Sequence, residues 1–172
     1  MLFKSAERRK FWDEHHLMKC QGKTHTDFLD KHLYLFKDKD VLEIGPGEGR
    51  QMKKIEKYKT YTVADISPAV IERHGGYLMK NYNDDMKKTF DIIHFWFVVH
   101  HVRRKEVKEF FAFVNRHLRE DGMVMFNYPV NWGKKDDGMS TTKHDLKFNY
   151  TEIEPYKNGK AVLIGGPVCF NV

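Results

Sequence analysis

Residues 41–50 read VLEIGPGEGR, with glycines at 45, 47 and 49 after a short apolar run. Glycine at alternate positions strips side chains from one loop and permits positive φ, so backbone turns closely beneath a ligand. The spacing excludes a P-loop, which needs GxxxxGK followed by Ser or Thr so that a lysine meets phosphate. It also departs from the GxGxxG of dinucleotide sites, because position 50 is Arg50 and the pattern is GxGxG. Glu43 stands two residues before the first glycine. A carboxylate there repels phosphate and favours an ammonium or sulfonium ligand, directly or through water. Asp65 ends the next apolar run, where a carboxylate accepts both hydroxyls of a ribose.

Taken together, Glu43, the GxGxG loop and Asp65 favour S-adenosylmethionine, with the ribose on Asp65 and the methionine end over the glycines. Other chemistry-bearing residues are fewer. HFWFVVHHV at 94–102 supplies His100, the best candidate for a general base because imidazole titrates near neutral pH. Glu14, His15 and His16 suggest a metal, but adjacent histidines do not share a helix face at i, i+4 spacing. HExxH and cysteine clusters are missing, so no metal is expected. Cys20 and Cys169 are far apart and are read as free thiols of a reducing cytoplasm.

Positioning these groups requires an α/β sheet, because apolar strand runs alternate with helical patterns. The sequence predicts a helix over 4–19 and a second over 27–36, capped by Thr26, with Phe28, Leu29, Leu33 and Phe36 on one face. Strands are predicted at Val41 to Ile44, Tyr61 to Ala64, Tyr77 to Lys80, 91–98 and Met123 to Asn127. A helix is predicted from Arg50 with Met52, Ile55 and Tyr58 inward. Another begins after Ser67, a natural N-cap, with Pro68 at its first position. Val107, Phe110, Phe111, Val114 and Leu118 recur at helical spacing, and Gly122 ends the turn that follows. The last segments, 146–156 and 160–168, read as two strands of a hairpin around KNGK.

Four ordered segments, VLEIGPGEGR, YTVADISPAVIE, FDIIHFWFVVHHV and HLREDGMVMF, resemble the class I S-adenosylmethionine-dependent methyltransferases, and are most similar to the small-molecule branch. The resemblance spans about residues 41–127. It implies a Rossmann-like, mostly parallel seven-stranded sheet with an antiparallel last strand, here with an abbreviated C-terminal part. It further implies that Glu43, Gly45, Pro46, Gly47 and Gly49 line the methionine half of the donor, Asp65 holds the ribose and Ile66 packs on the adenine. Of Asn81, Asn83, Asp84 and Asp85, either Asn83 or Asp84 is expected near the adenine amino group. Phe95 and Trp96 are assigned to the cofactor, and Trp12, His94, Phe97 and Trp132 to the acceptor. The usual KPGG before the fifth strand is REDG here, and the helix before the terminal hairpin is missing.

The expected organisation is a single methyltransferase domain over 1–172: an N-terminal helical cap at 1–38, a cofactor-binding core at 39–128, and a loop with terminal β-hairpin at 129–172. At 172 residues the chain suits one hydrophobic core. No run of about 18 apolar residues indicates a transmembrane helix, and MLFKSAERRKFW lacks the apolar centre of a signal peptide. A cytoplasmic enzyme is therefore expected. The formal charge of +6 is spread along helices and reads as a lysine-rich solvated surface. No NPPY-like or Pro-Cys site follows the fourth strand, which argues against a DNA base and for a small organic acceptor methylated on O or N. Product S-adenosylhomocysteine follows from that reaction. Methyl transfer from sulfonium needs mainly alignment of the acceptor about 3 Å from the methyl carbon. An RNA or protein methyltransferase is the runner-up, with nucleic acid the less favoured partner. A catalytically inactive donor-binding regulatory protein is the third reading. A homodimer is compatible with the sequence.

Overall fold

The computed structural model describes residues 10, 13–14, 27–80, 82, 86–102, 106–129, 147–156 and 159–171. The helix expected over 4–19 lies mainly outside the described residues, as do Trp12, His15, His16, Asn83, Asp84 and Trp132.

The helix expected over 27–36 forms in two pieces, α1 (Asp27–Lys31) and a 3-10 turn (Leu33–Phe36). Around His32 the backbone bonds tighten to three residues: His32 N donates to Leu29 O at 2.9 Å and Leu35 N to His32 O at 3.0 Å. The tighter winding still buries Phe28, Leu29 and Phe36 on the sheet.

Strands β1 (Asp40–Ile44), β2 (Thr60–Asp65), β3 (Tyr77–Leu78) and β4 (Phe90–Phe95) run parallel. β5 (Leu118–Pro129) joins β4 in parallel. The short strands β6 (Lys147–Phe148) and β9 (Phe170–Asn171) form a separate pair. β7 (Glu152–Tyr156) and β8 (Gly159–Gly165) complete a seven-stranded sheet of order β3-β2-β1-β4-β5-β8-β7. β8 is antiparallel to both neighbours. The expected parallel sheet with an antiparallel final strand is therefore what forms. The two long terminal strands expected from sequence are shortened, because 147–148 leaves to pair with 170–171 instead of extending β7.

No helix forms from Arg50; the described chain there is a series of turns. Three preceding glycines raise the entropic cost of helix, and the only buried apolar residue in the segment is Ile55, while Tyr58 is 41% exposed. Too little apolar surface is available to hold a helix against the sheet. β5 starts five residues earlier than expected. Its register slips against β4 between Phe90 and Ile92, where Arg119 donates to Asp91 at 2.6 Å and to Asp40 at 2.7 Å.

Pleat alternation sends successive residues to opposite faces of the sheet. One face carries Leu42, Ile93, Phe95, Val124 and Phe126 against α3 (Val107–His117). The other carries Val41, Ile92, Trp96 and Met125 against Phe28, Leu29 and Phe36. Between β2 and β3 runs α2 (Pro68–His74). Its start was legible in sequence: Pro68 occupies the first turn, and Ser67 Oγ accepts from Val70 N at 3.4 Å. Ser67 Oγ also donates to Asp13 Oδ1 at 2.6 Å, and Ala69 N donates to the same oxygen at 3.2 Å. Ser67→Ala is expected to cost about 1 kcal/mol of stability by urea denaturation, and a cost near zero would show that this cap holds nothing.

Candidate active site

The carboxyl ends of β1, β2 and β4 converge at the glycine loop, which is where open α/β sheets bind ligands. Gly45, Gly47 and Gly49 all have positive φ, at 68°, 55° and 73°. Gly45 N donates to Ala64 O at 2.9 Å, extending the parallel ladder one residue beyond β1. A Cβ on Gly45 would lie 2.6 Å from Val98 Cγ2, whereas a Cβ on Gly47 would meet no described atom within 4 Å. Gly45 thus packs against the β4 connection. Pro46, between them, is buried. His74, at the end of α2, ties the loop down by donating from Nε2 to Gly47 O at 2.9 Å.

Asp65 ends β2 next to this loop and is half-buried. Its Oδ1 accepts from Ser67 N at 2.8 Å, which orients the carboxylate at the turn into α2. Ile66 is half-buried and packs on the main core.

Glu43 is 2% exposed. Tyr61 Oη lies 2.7 Å from Glu43 Oε2 and 2.8 Å from His94 Nε2, so one phenol bridges a carboxylate and an imidazole. Glu43 and His94 are register partners across β1 and β4, and Tyr61 reaches both from β2. Burial pushes the Glu43 carboxyl up to about 7; the Tyr61 hydrogen bond opposes this and the nearby Asp65 charge adds to it. Burial alone holds the His94 imidazolium down to about 3.

The structure corrects two of the expected assignments. His94 does not line an acceptor pocket: it is 0% exposed, bonded to Tyr61 and edge-on to the Phe36 ring at 5.4 Å. Phe95 does not face the donor. Pleat alternation turns it to the α3 side, where it stacks on Phe126 at 4.8 Å and meets Phe110 at 5.1 Å. Trp96 is buried in the opposite apolar cluster with Phe28 and Phe36.

Phe97 follows β4 with φ of 61°, a left-handed conformation rare for an aromatic residue. Its backbone N donates to the side-chain Oδ1 of buried Asn127 at 2.6 Å, which holds the turn. The Phe97 ring is half-buried, 5.5 Å from the His100 ring. His100 is 7% exposed; burial, with help from His101, holds its imidazolium down to about 3. A neutral imidazole with so weak an affinity for protons is a poor general base at pH 7.

Tyr61, His74, Asn127 and Asp13 escaped the sequence reading. Only the polar Tyr61 and Asn127 within apolar strand runs carried a signal, and strand register was needed to interpret it. No group of three His, Cys, Asp or Glu able to hold a metal occurs among the described residues. No described helix is long and apolar enough to cross a membrane.

A nucleoside-binding α/β fold is what this sheet order, loop and acidic strand ends define. A family model described as a methyltransferase domain matches residues 14–157, and the chain belongs to that family, the class I S-adenosylmethionine-dependent methyltransferases. Among solved structures, it is similar to the N-methyltransferase NodS from Bradyrhizobium japonicum WM9 in complex with S-adenosyl-L-homocysteine. The TM-score is 0.65 at 16% identity, covering 83% of this chain and 85% of that one. The PH0226 protein from Pyrococcus horikoshii OT3 gives 0.62 at 15% identity over 96% and 94%. The 1,6-didemethyltoxoflavin-N1-methyltransferase from Burkholderia thailandensis gives 0.60 at 14% identity over 93% and 82%. At such identities the likeness is one of fold. No curated protein matches the chain.

Proposed function

We propose that this chain transfers the methyl group of S-adenosylmethionine to a nitrogen or oxygen of a small organic acceptor by in-line displacement. The observation that carries this reading is the left-handed glycine loop that follows β1, clear of described atoms at Gly47, with Glu43 near the end of β1 and Asp65 at the end of the adjacent parallel β2. Bound there, the donor supplies an electrophilic methyl carbon and a neutral thioether leaving group.

The residues fit such a ligand. Left-handed glycines let backbone approach the methionine portion without Cβ atoms. In this reading Glu43 meets the ammonium group, Asp65 the ribose hydroxyls and Ile66 the adenine face. Asn83 or Asp84 is assigned to the adenine amino group by resemblance alone. The half-buried ring of Phe97, whose backbone N–H is held by Asn127, forms one wall for the acceptor, with Trp12 and Trp132 as further candidates. Residues 39–128 form the donor-binding core of a single domain, with 1–38 and 129–172 contributing to the acceptor side.

A nitrogen acceptor is favoured over oxygen. A neutral amine attacks with its own lone pair, whereas a hydroxyl needs a base, and the buried His100 serves poorly as one. The names of two fold neighbours, both N-methyltransferases, agree with this.

Calorimetry with S-adenosylhomocysteine and, separately, NAD tests the donor assignment: binding of the first and not the second is expected. NAD binding alone would overturn it. Turnover across amines and phenols then tests the acceptor class. Binding without turnover on any acceptor would favour a regulatory protein, and tight, salt-steep RNA retention on filters would favour an RNA substrate.

A further inference from the structure

Near the end of β1 lies a chain of three side chains, Glu43 and His94 buried and Tyr61 half-buried, that methyl transfer itself does not require. His94 Nε2, Tyr61 Oη and Glu43 Oε2 follow one another at 2.8 and 2.7 Å. A phenol has one proton, so Tyr61 donates to one neighbour and accepts from the other, in one of two directions. In the first, His94 Nε2–H donates to Tyr61 and Tyr61 donates to an ionised Glu43. In the second, a protonated Glu43 donates to Tyr61 and Tyr61 donates to His94 Nε2, which places the imidazole proton on Nδ1. His94 Nδ1 is buried and has no hydrogen-bond partner among the described residues. A bare lone pair there costs less than a buried, unsatisfied N–H. The bare Nδ1 favours the first direction, in which Tyr61 donates to Glu43; an ionised carboxylate accepts that proton more strongly than the neutral acid does, so the chain pulls toward the anion against the burial that opposes it.

We propose that Tyr61 and His94 are positioning residues for the donor: through this chain they set the proton on Glu43, so that binding of the donor's ammonium group expels that proton to solvent. The inference rests on the reading of Glu43 as the contact for that ammonium group. Two proton arrangements lie close in energy because burial of Glu43 and the Asp65 charge favour the neutral acid, while Tyr61 favours the anion. The cation supplies the missing counter-charge and decides between them.

Among the described residues, the ionisable groups facing Glu43 are few. Tyr61 and Asp65 come from β2 and His94 from β4, with Tyr58 packed on the Tyr61 ring at 5.1 Å. His74 of α2 touches the loop through Gly47 O with a ring nitrogen that donates in either charge state. His94 stays neutral throughout the neutral range, and burial moves Tyr61 upward, out of it. Glu43 is thus the member of the chain whose proton changes between pH 6 and pH 8.

Calorimetric titration of the full chain with S-adenosylhomocysteine reads this directly. If only the ionised form binds, Kd weakens about tenfold from pH 8 to pH 6, as the competent fraction falls. At pH 7 about half a proton is released per site, seen as a binding enthalpy that changes with the ionisation enthalpy of the buffer. Tyr61→Phe removes a charge-assisted bond and raises the midpoint by about one pH unit, weakening binding about fivefold at pH 7 and hardly at pH 8.5. Glu43→Gln flattens the profile and abolishes proton release. Binding with a flat Kd and a buffer-independent enthalpy in the unmodified chain would overturn the inference while leaving the donor site standing. A Tyr61→Phe loss of equal size at every pH would reduce Tyr61 to a packing role. No binding at any pH would overturn the donor-site reading itself.

Discussion

Gly45→Ala is expected to lower stability by about 2–4 kcal/mol, combining backbone strain at positive φ with overpacking. The strain arises because φ is 68°. The overpacking arises because the new Cβ would sit 2.6 Å from Val98 Cγ2. Val98 belongs to the segment leaving β4, so relief requires displacing that segment along with Phe97 and the 3-10 turn at Val99–His101. Urea denaturation measures the loss. Gly47→Ala is expected to behave in the opposite way. Its φ of 55° brings a strain of about 1 kcal/mol, but the Cβ meets no described atom. The added methyl instead fills the side on which the donor is placed, so S-adenosylhomocysteine binding should weaken more than tenfold while the fold survives. Wild-type affinity in a folded Gly47→Ala protein would mean that the ligand lies elsewhere.

Asp65→Ala is the second large effect. Loss of hydrogen bonds to a charged acceptor costs about 1.5–3 kcal/mol, so donor affinity should fall roughly 10- to 150-fold. A smaller stability loss accompanies it, because Ser67 N loses its acceptor at the start of α2. Asp65→Asn keeps an oxygen for Ser67 N and separates the two effects. Ligand fragments sharpen the assignment. Methylthioadenosine keeps the ribose and lacks the amino acid, so Asp65→Ala should weaken it as much as S-adenosylhomocysteine. Glu43→Gln should weaken only S-adenosylhomocysteine. Equal losses for both ligands in Glu43→Gln would remove Glu43 from the methionine end. Removing the Asp65 charge should also lower the Glu43 midpoint, because that charge helps raise it.

A buried Glu43 also bears on stability without ligand. Its carboxyl is held above the unfolded value, so its contribution is present below about pH 4.5 and is lost as pH rises through about 7. His94 acts in the opposite sense: its imidazolium is disfavoured in the fold, so stability present above about 6.5 is lost as pH falls toward 3. The two slopes oppose each other between pH 4.5 and 6.5, and the Glu43 contribution disappears once a cation pairs with the carboxylate.

Much of the donor site is legible in the order of the residues alone. The GxGxG spacing, Glu43 two residues upstream and Asp65 at the end of the next apolar run are local patterns, because each belongs to one strand and the turn that follows it. The same holds for the α2 start, where Ser67 and Pro68 act within one turn, and for α3, whose period places Phe110, Phe111 and Val114 inward. These features depend on residues near one another in the chain, so spacing alone specified them.

Residues that meet across strands were a different matter. Which face of the sheet His94 and Phe95 each meet depended on the phase of the β4 pleat, and one residue of phase separates the Glu43 network from the α3 core. Tyr61 joins Glu43 only through the β1–β2 register, and Asn127 restrains Phe97 only because β5 lies beside β4. The missing helix after the glycine loop likewise followed from how little apolar surface the segment offers the finished sheet. The sequence by itself determined the donor class and the strand ends proposed to hold it, because those are encoded in contiguous residues. Only the tertiary structure decided which polar groups share a buried face, because pairing register and burial, which move Glu43 and His94 in opposite directions, exist only once the strands are side by side.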